Sequence, residues 1–279
     1  MKAKEKRRLR WRKIPQSELS LSRINLITLF APSNDPSLTV LCRISAEPIQ
    51  QLIARERERS QKKITMTMAV MKLVAMAVER HPEFNSLVFG GSIYQLEDIA
   101  ITVPHLLPGE NRELTNLIIQ NPQSKSLDQI YDDCEALMRS ERTEDAAHSR
   151  LKARLLPAVF IKTKLYRLIG EKRCFRILYE RGLATNLAVT NASDRGSMRF
   201  LVTKSTVHIL RVFTRFYLHG VEEVPVVEDG SIVAKKLLPL SIAFDHRLID
   251  GVHLNAFVKT LEELAATGLN TDNGQPDGS

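Results

Sequence analysis

Residues 245–251 read Asp245-His246-Arg247-Leu248-Ile249-Asp250-Gly251, and the chain on either side indicates what kind of structure presents them. Upstream, Leu237 to Phe244 is apolar enough for a core strand. Downstream, Leu254, Phe257, Val258, Leu261 and Leu264 recur at helical spacing. A strand that ends in charged residues and turns at a glycine into an amphipathic helix is a place where a rigid scaffold holds reactive side chains. An imidazole with an ordinary pKa of about 6.5 suits proton transfer at neutral pH, which makes His246 the candidate base. A lone histidine at a strand end is commonly a hydrogen-bonded structural residue. The whole pattern D-H-R-x-x-D-G weighs against that here, since five fixed residues should arise by chance in roughly one chain in ten thousand of this length.

Working outward, Asp229-Gly230 between the apolar runs of Val224 to Val233 is a two-residue hairpin signal. Thr185 to Asn191 alternates as a strand. Ile64 to Arg80 predicts a buried helix that exits through His81-Pro82-Glu83-Phe84-Asn85, and Pro48 to Arg59 predicts a surface helix. Gly90-Gly91 suggests a hairpin, with a further strand at Ile99 to Val103. Ser126-Leu127-Asp128-Gln129 is a capping-box pattern, continued by Ile130, Cys134, Leu137 and Met138 as an amphipathic helix. Helices and strands alternate irregularly and without internal repeats, so the fold class is α+β, a mixed α/β sandwich.

These stretches together resemble the catalytic domain of the acyltransferase component of 2-oxoacid dehydrogenase complexes, which shares its architecture with chloramphenicol acetyltransferase. The D-H-R-x-x-D-G heptad, the hairpin before it, the Thr190-Asn191 strand end and the His81-Pro82-Glu83-Phe84-Asn85 helix exit carry the likeness, over about Ile64 to Leu264. The resemblance implies a large mixed β-sheet flanked by helices. It also implies acyl transfer between a thioester and a thiol or other nucleophile, in a homotrimer or multiple of trimers whose sites lie between subunits. On that resemblance His246 takes the proton from the thiol of coenzyme A or of a dihydrolipoyl group. Thr190 stands where relatives place a serine hydroxyl that stabilises the oxyanion, and Asp250 has an orienting and electrostatic role. Threonine keeps the hydroxyl and adds a methyl that restricts its rotamer. Asp245 and Arg247 are read as a local pair that holds the loop. Spacing alone would bring Asp250 close to His246 if the residues between them formed a helical turn.

The chain has 279 residues, 43% of them hydrophobic, which predicts a sizeable core and a soluble, cytoplasmic protein with no membrane-spanning run. Three cysteines, Cys42, Cys134 and Cys174, without paired spacing indicate neither a disulfide framework nor a metal site. On this reading the chain divides into a basic tail over 1–14, a catalytic domain over 15–266 and a polar tail over 267–279. The first thirteen residues carry eight Lys and Arg, and the net charge is +8. Such a run is read as a solvated tail rather than a specific nucleic-acid element.

A basic amphipathic insertion at about 141–184 is the chain's main departure from the family. It can lie on a membrane surface, bind a partner's acidic face, form a lid over an acyl pocket or pack as an ordinary helical excursion. No segment resembles a lipoyl domain, and Leu21 to Ile44 lacks the family's opening helix pattern. The expectation is a stand-alone, CoA-dependent acyltransferase with acyl-CoA as donor. Its acceptor is open between free CoA, a lipoylated or carrier protein and a small molecule. The alternative is a noncatalytic oligomeric scaffold on the same fold.

Overall fold

The computed structural model describes residues 11–19, 36–89, 92–106, 114–140, 170, 173, 176, 179, 185–193 and 214–269. Most of the basic tail, the Gly90-Gly91 turn, Cys174, nearly all of the 141–184 insertion and the end of the polar tail lie outside the described residues.

Among the described residues, ten strands form two sheets. In the smaller sheet, β1 (Trp11–Lys13), β3 (Ser86–Phe89) and β4 (Ser92–Leu96) pair antiparallel in the order β1-β4-β3. The larger sheet contains β2 (Ser37–Ser45), β5 (Ala100–Leu106), β6 (Leu114–Gln120), β7 (Leu187–Asn191), β8 (Thr214–Leu218) and β10 (Ser231–Asp245). Its order is β2-β10-β8-β7-β5-β6, with β9 (Glu222–Glu228) paired to β10. Among the described strands only β7 runs parallel to its neighbours, β5 on one side and β8 on the other. Leu187, Ala188 and Val189 are all buried, as a parallel strand covered on both faces requires.

β10 changes character along its length. Ser231 to Leu237 pairs with β9 as a hairpin and stays largely open to water, whereas every residue from Leu238 to Asp245 is buried. Asp229 (φ 49°) and Gly230 (φ 78°) both adopt the left-handed conformation, the two-residue turn that matches strand twist and that the Asp-Gly pair predicts.

The helices described without gaps are α1 (Glu47–Ser60), α2 (Met66–Arg80), α3 over 127–140 and α4 (Gly251–Ala266), and Arg173, Arg176 and Tyr179 are helical as well. The Thr65 side chain caps α2 by accepting from the Met68 N–H. At α3 the expected reciprocal box is present: the Ser126 N–H donates to Gln129 Oε1 (3.0 Å) and the Gln129 N–H to Ser126 Oγ (3.4 Å). α2 and α4 pack on the sheet face that carries Leu240, Ile242, Phe244, Phe216 and Val189. Phe257 of α4 anchors this layer, its ring stacked 3.8 Å from Phe84 and tilted 5.8 Å from Phe216.

The structure departs from the sequence reading at several strands. Trp11–Lys13, grouped above with the solvated tail, pairs with β4, and the Trp11 ring lies 5.2 Å from Tyr94 and 6.5 Å from Tyr179. An aromatic ring gains more by burial than the flanking charges gain from staying free. β2, β6 and β8 are additional strands that the sequence reading did not find.

Candidate active site

His246 follows the last residue of β10 in a tight turn. The Leu248 and Ile249 N–H groups both donate to the Asp245 carbonyl (3.0 and 3.1 Å), and the His246 N–H donates to the Pro36 carbonyl (3.0 Å). The ring nitrogen Nδ1 lies 2.9 Å from the Ile249 carbonyl oxygen. A carbonyl only accepts, so Nδ1 carries the proton and the neutral ring presents an unprotonated Nε2. That is the tautomer a general base needs.

Asp245 is 4% exposed, and its carboxylate is met by the Arg247 backbone N–H and by the guanidinium in a forked pair. The pairing holds the turn shut from beneath, as a buried carboxylate demands.

Asp250 does not share a helical turn with His246. Its backbone is extended (φ −112°, ψ −178°), and the residue is the N-cap of α4. Its Oδ1 accepts from the Val252 N–H (3.0 Å), the His253 N–H (3.2 Å) and His253 Nδ1 (2.6 Å). The peptide joining Ile249 to Asp250 therefore has its carbonyl on His246 and its following side chain tied to α4. Sequence reasoning passed over His253, although an Asp cap with an imidazole three residues later is a readable signal.

Thr190 is partly buried at the end of β7, and its hydroxyl makes no hydrogen bond among the described residues. Register places it beside Tyr217 of β8, which in turn faces Ser241 of β10. The sheet face they share is opposite to that of Val189 and Ile242. Asp245, the last residue of β10, is four residues beyond Ser241, about 13 Å along the strand direction, and His246 follows it in the turn. One protomer by itself does not bring His246 and Thr190 together.

Burial pushes the thiols of Cys42 and Cys134 up to about 11, with Glu262 adding to the effect at Cys42 and Asp133 and Glu135 at Cys134. Thiols held neutral in this way are poor nucleophiles. Among the described residues no group of three His, Cys, Asp or Glu side chains could hold a metal, and no helix is long and apolar enough to cross a membrane.

Comparison with known proteins agrees with this fold. Residues 29–153 and 187–267 match the model of the family described as 2-oxoacid dehydrogenases acyltransferase (catalytic domain). The dihydrolipoyllysine-residue succinyltransferase component of the 2-oxoglutarate dehydrogenase complex of Haemophilus influenzae is 23% identical over 261 residues, 91% of this chain and 53% of that protein. The chain thus spans about half the length of this relative. A probable dihydrolipoamide acetyltransferase from Listeria monocytogenes has the same fold, with a TM-score of 0.62 and 14% identity over 94% of this chain and 97% of that one. A chloramphenicol acetyltransferase follows at 0.57 and 13%, over 92% and 100%.

Proposed function

The chain belongs to the 2-oxoacid dehydrogenase acyltransferase family, as its catalytic domain, and from that premise we propose that it moves an acyl group between a thioester and a thiol with His246 as general base. The hydrogen bond from Nδ1 to the Ile249 carbonyl carries this reading, because it leaves Nε2 as the proton acceptor at the end of a rigid strand.

The steps follow from that tautomer. Nε2 takes the proton from the thiol of CoA or of a dihydrolipoyl group, and the sulfur attacks the acyl carbonyl carbon. Negative charge moves onto the carbonyl oxygen, where a hydroxyl donor contributes about 3 kcal/mol. Thr190 is that donor, supplied by a neighbouring protomer, since the register separates it from His246 within one chain. The intermediate collapses by breaking the bond to the original sulfur, which leaves as a thiolate and recovers the proton from the imidazolium. Asp250 acts through position and charge: it fixes the peptide whose carbonyl orients His246, and its carboxylate favours the transient imidazolium. Desolvation keeps Cys42 and Cys134 out of the chemistry.

The catalytic body on this reading is 15–266, working as a homotrimer or multiple of trimers in the cytoplasm. Acyl-CoA is the donor, and a lipoylated or carrier protein or a small molecule is the acceptor.

The test is a screen of short, branched and long acyl-CoAs that follows free thiol, run beside His246→Ala. His246→Ala is expected to lower turnover by about a hundred- to ten-thousandfold while the melting transition is kept. Equal turnover by a folded His246→Ala protein overturns the proposal. Absence of turnover by the wild type with every donor, alongside a stable complex with a partner protein, favours the scaffold.

A further inference from the structure

The strand end that bears Thr190 is held by one ladder and one side chain. On the β8 side the parallel register runs to the last residue of β7, with Thr190 beside Tyr217 and Asn191 beside Leu218, and the Ala192 N–H donates to the Leu218 carbonyl (2.8 Å). On the β5 side the register stops at Ala188. Two residues further it would set Thr190 opposite Pro104, which has no N–H to donate. Val189 to Asn191 thus lack a second ladder among the described strands.

Asn191 supplies the missing hold. Side chains alternate along a strand, so Asn191 points to the face on which α2 packs while Thr190 points to the other. Its amide is used at both ends: the oxygen accepts from the Ser193 N–H (2.9 Å) and the nitrogen donates to Thr67 Oγ1 (3.2 Å). A backbone N–H only donates, which fixes the orientation of the amide. The first bond closes an Asx turn that ends the strand, and the second ties that end to the first turn of α2. α2 is a firm anchor, since every residue from Ala69 to Val78 except Lys72 is buried. The bond to Thr67 lies at the surface, where a neutral hydrogen bond adds only modestly to stability. Its effect is local.

We infer that Asn191, acting with Thr67, is a positioning residue for acyl transfer: it fixes the end of β7 so that the Thr190 hydroxyl stays where the carbonyl oxygen becomes negative. The inference rests on the acyl-transfer reading above, in which Thr190 is the oxyanion donor. Such a donor acts over a hydrogen bond of about 2.7–3.1 Å, and a misplacement of about 1 Å removes most of its effect. A strand end free to swing about its β8 ladder would lose that placement. Asn191 touches no reacting atom in this scheme and works through its neighbour.

The experiment measures kcat and KM for Thr190→Val, Asn191→Ala and Thr67→Val, and for the doubles that combine Thr190→Val with each of the other two. The donor is the best acyl-CoA of the screen above, with dihydrolipoamide as acceptor, and each variant is first checked by its melting transition. Asn191→Ala and Thr67→Val are each expected to lower kcat about tenfold, less than the roughly hundredfold loss at Thr190→Val, with KM changed by less than about twofold. Once the hydroxyl is gone there is nothing left to position, so in the Thr190→Val background neither should lower kcat by more than about twofold. A general weakening of the fold would instead multiply with the Thr190→Val loss. Thr67→Val breaks the tie from the helix side and decides the matter should Asn191→Ala not fold.

Unchanged kcat in the folded single variants overturns the assignment, and so does an equal loss in both backgrounds. Wild-type kcat in Thr190→Val removes the oxyanion role of Thr190 and this assignment with it, while the role of His246 is decided separately by His246→Ala. Absence of wild-type turnover with every donor overturns the acyl-transfer reading and the assignment together.

Discussion

The turn that carries His246 and the sheet face that carries Thr190 and Arg215 are built in opposite ways. In the turn, polar groups find partners over a few residues: Asp245 with Arg247, His246 with Ile249, and Asp250 with the first turn of α4. On the sheet face, the Thr190 hydroxyl makes no bond among the described residues, and Arg215 Nε and Thr39 Oγ1 are buried without partners. A group that must present one nitrogen in one tautomer is best held by saturated local bonding. On the proposed function, the sheet face keeps its donors for a group supplied from outside the protomer.

That contrast can be broken most decisively by subunit mixing. His246→Ala and Thr190→Val are each expected to lose at least about a hundredfold in turnover. If the protein assembles as the proposed trimer, assemblies reconstituted from equal parts of the two should regain about a quarter of wild-type activity, because chance pairs an intact histidine with an intact threonine across that share of interfaces. No recovery in mixed assemblies of confirmed composition would place both groups in one protomer and contradict the register.

Next in size is the support beneath the turn. Arg247→Leu leaves the Asp245 carboxylate buried and unpaired, and is expected to cost about 3–5 kcal/mol in chemical denaturation. A cost below about 1 kcal/mol, the scale of an exposed ion pair, would mean that the turn is not closed as described.

A smaller effect is expected at the cap. Asp250→Ala should destabilise by about 0.5–2 kcal/mol through loss of the α4 cap. Asp250→Asn should recover that stability, since asparagine also caps, yet not the full kcat, because the charge proposed to favour the imidazolium is gone. Full recovery of kcat by asparagine would reduce Asp250 to a purely orienting group.

The least effect concerns the thiols. With Cys42 and Cys134 pushed up to about 11, the thiolate is scarce at neutral pH and grows as pH rises toward that value. Mapping of iodoacetamide adducts by mass spectrometry at pH 7 should find both sites nearly unlabelled in native protein and labelled after denaturation. Rapid native labelling of Cys42, which is partly buried, would contradict the upward shift of its thiol.

How much could be read from residue order differs between the same two regions. The turn was legible because its determinants are adjacent: a buried apolar run, a charged heptad, a glycine and a helical stripe. The hairpin was legible for the same reason, since Asp229-Gly230 dictates its own conformation. β8 was not, because Thr-Arg-Phe-Tyr-Leu is short and holds a charge in its interior. It becomes a strand through Phe216 facing Ile242 and Val189, partners remote in sequence. The position of Asp250 was misjudged for a related reason. Spacing of four suggests a helical turn, but the residue adopts an extended backbone so that its oxygen can meet the free N–H groups at the start of α4. The separation of His246 from Thr190 is invisible without the strand register.

The placement of β7 has a consequence for how the molecule is made. Its two parallel ladders, Ile101 against Leu187 and Leu187 against Thr214, close long loops before any contact repays them. Topologies dominated by such distant pairings acquire their native order over milliseconds to seconds, more slowly than helical bundles. The strand that bears Thr190 is thus expected to be among the last to dock during refolding, and a newly synthesised chain gains its helices and its 222–245 hairpin well before the larger sheet is complete.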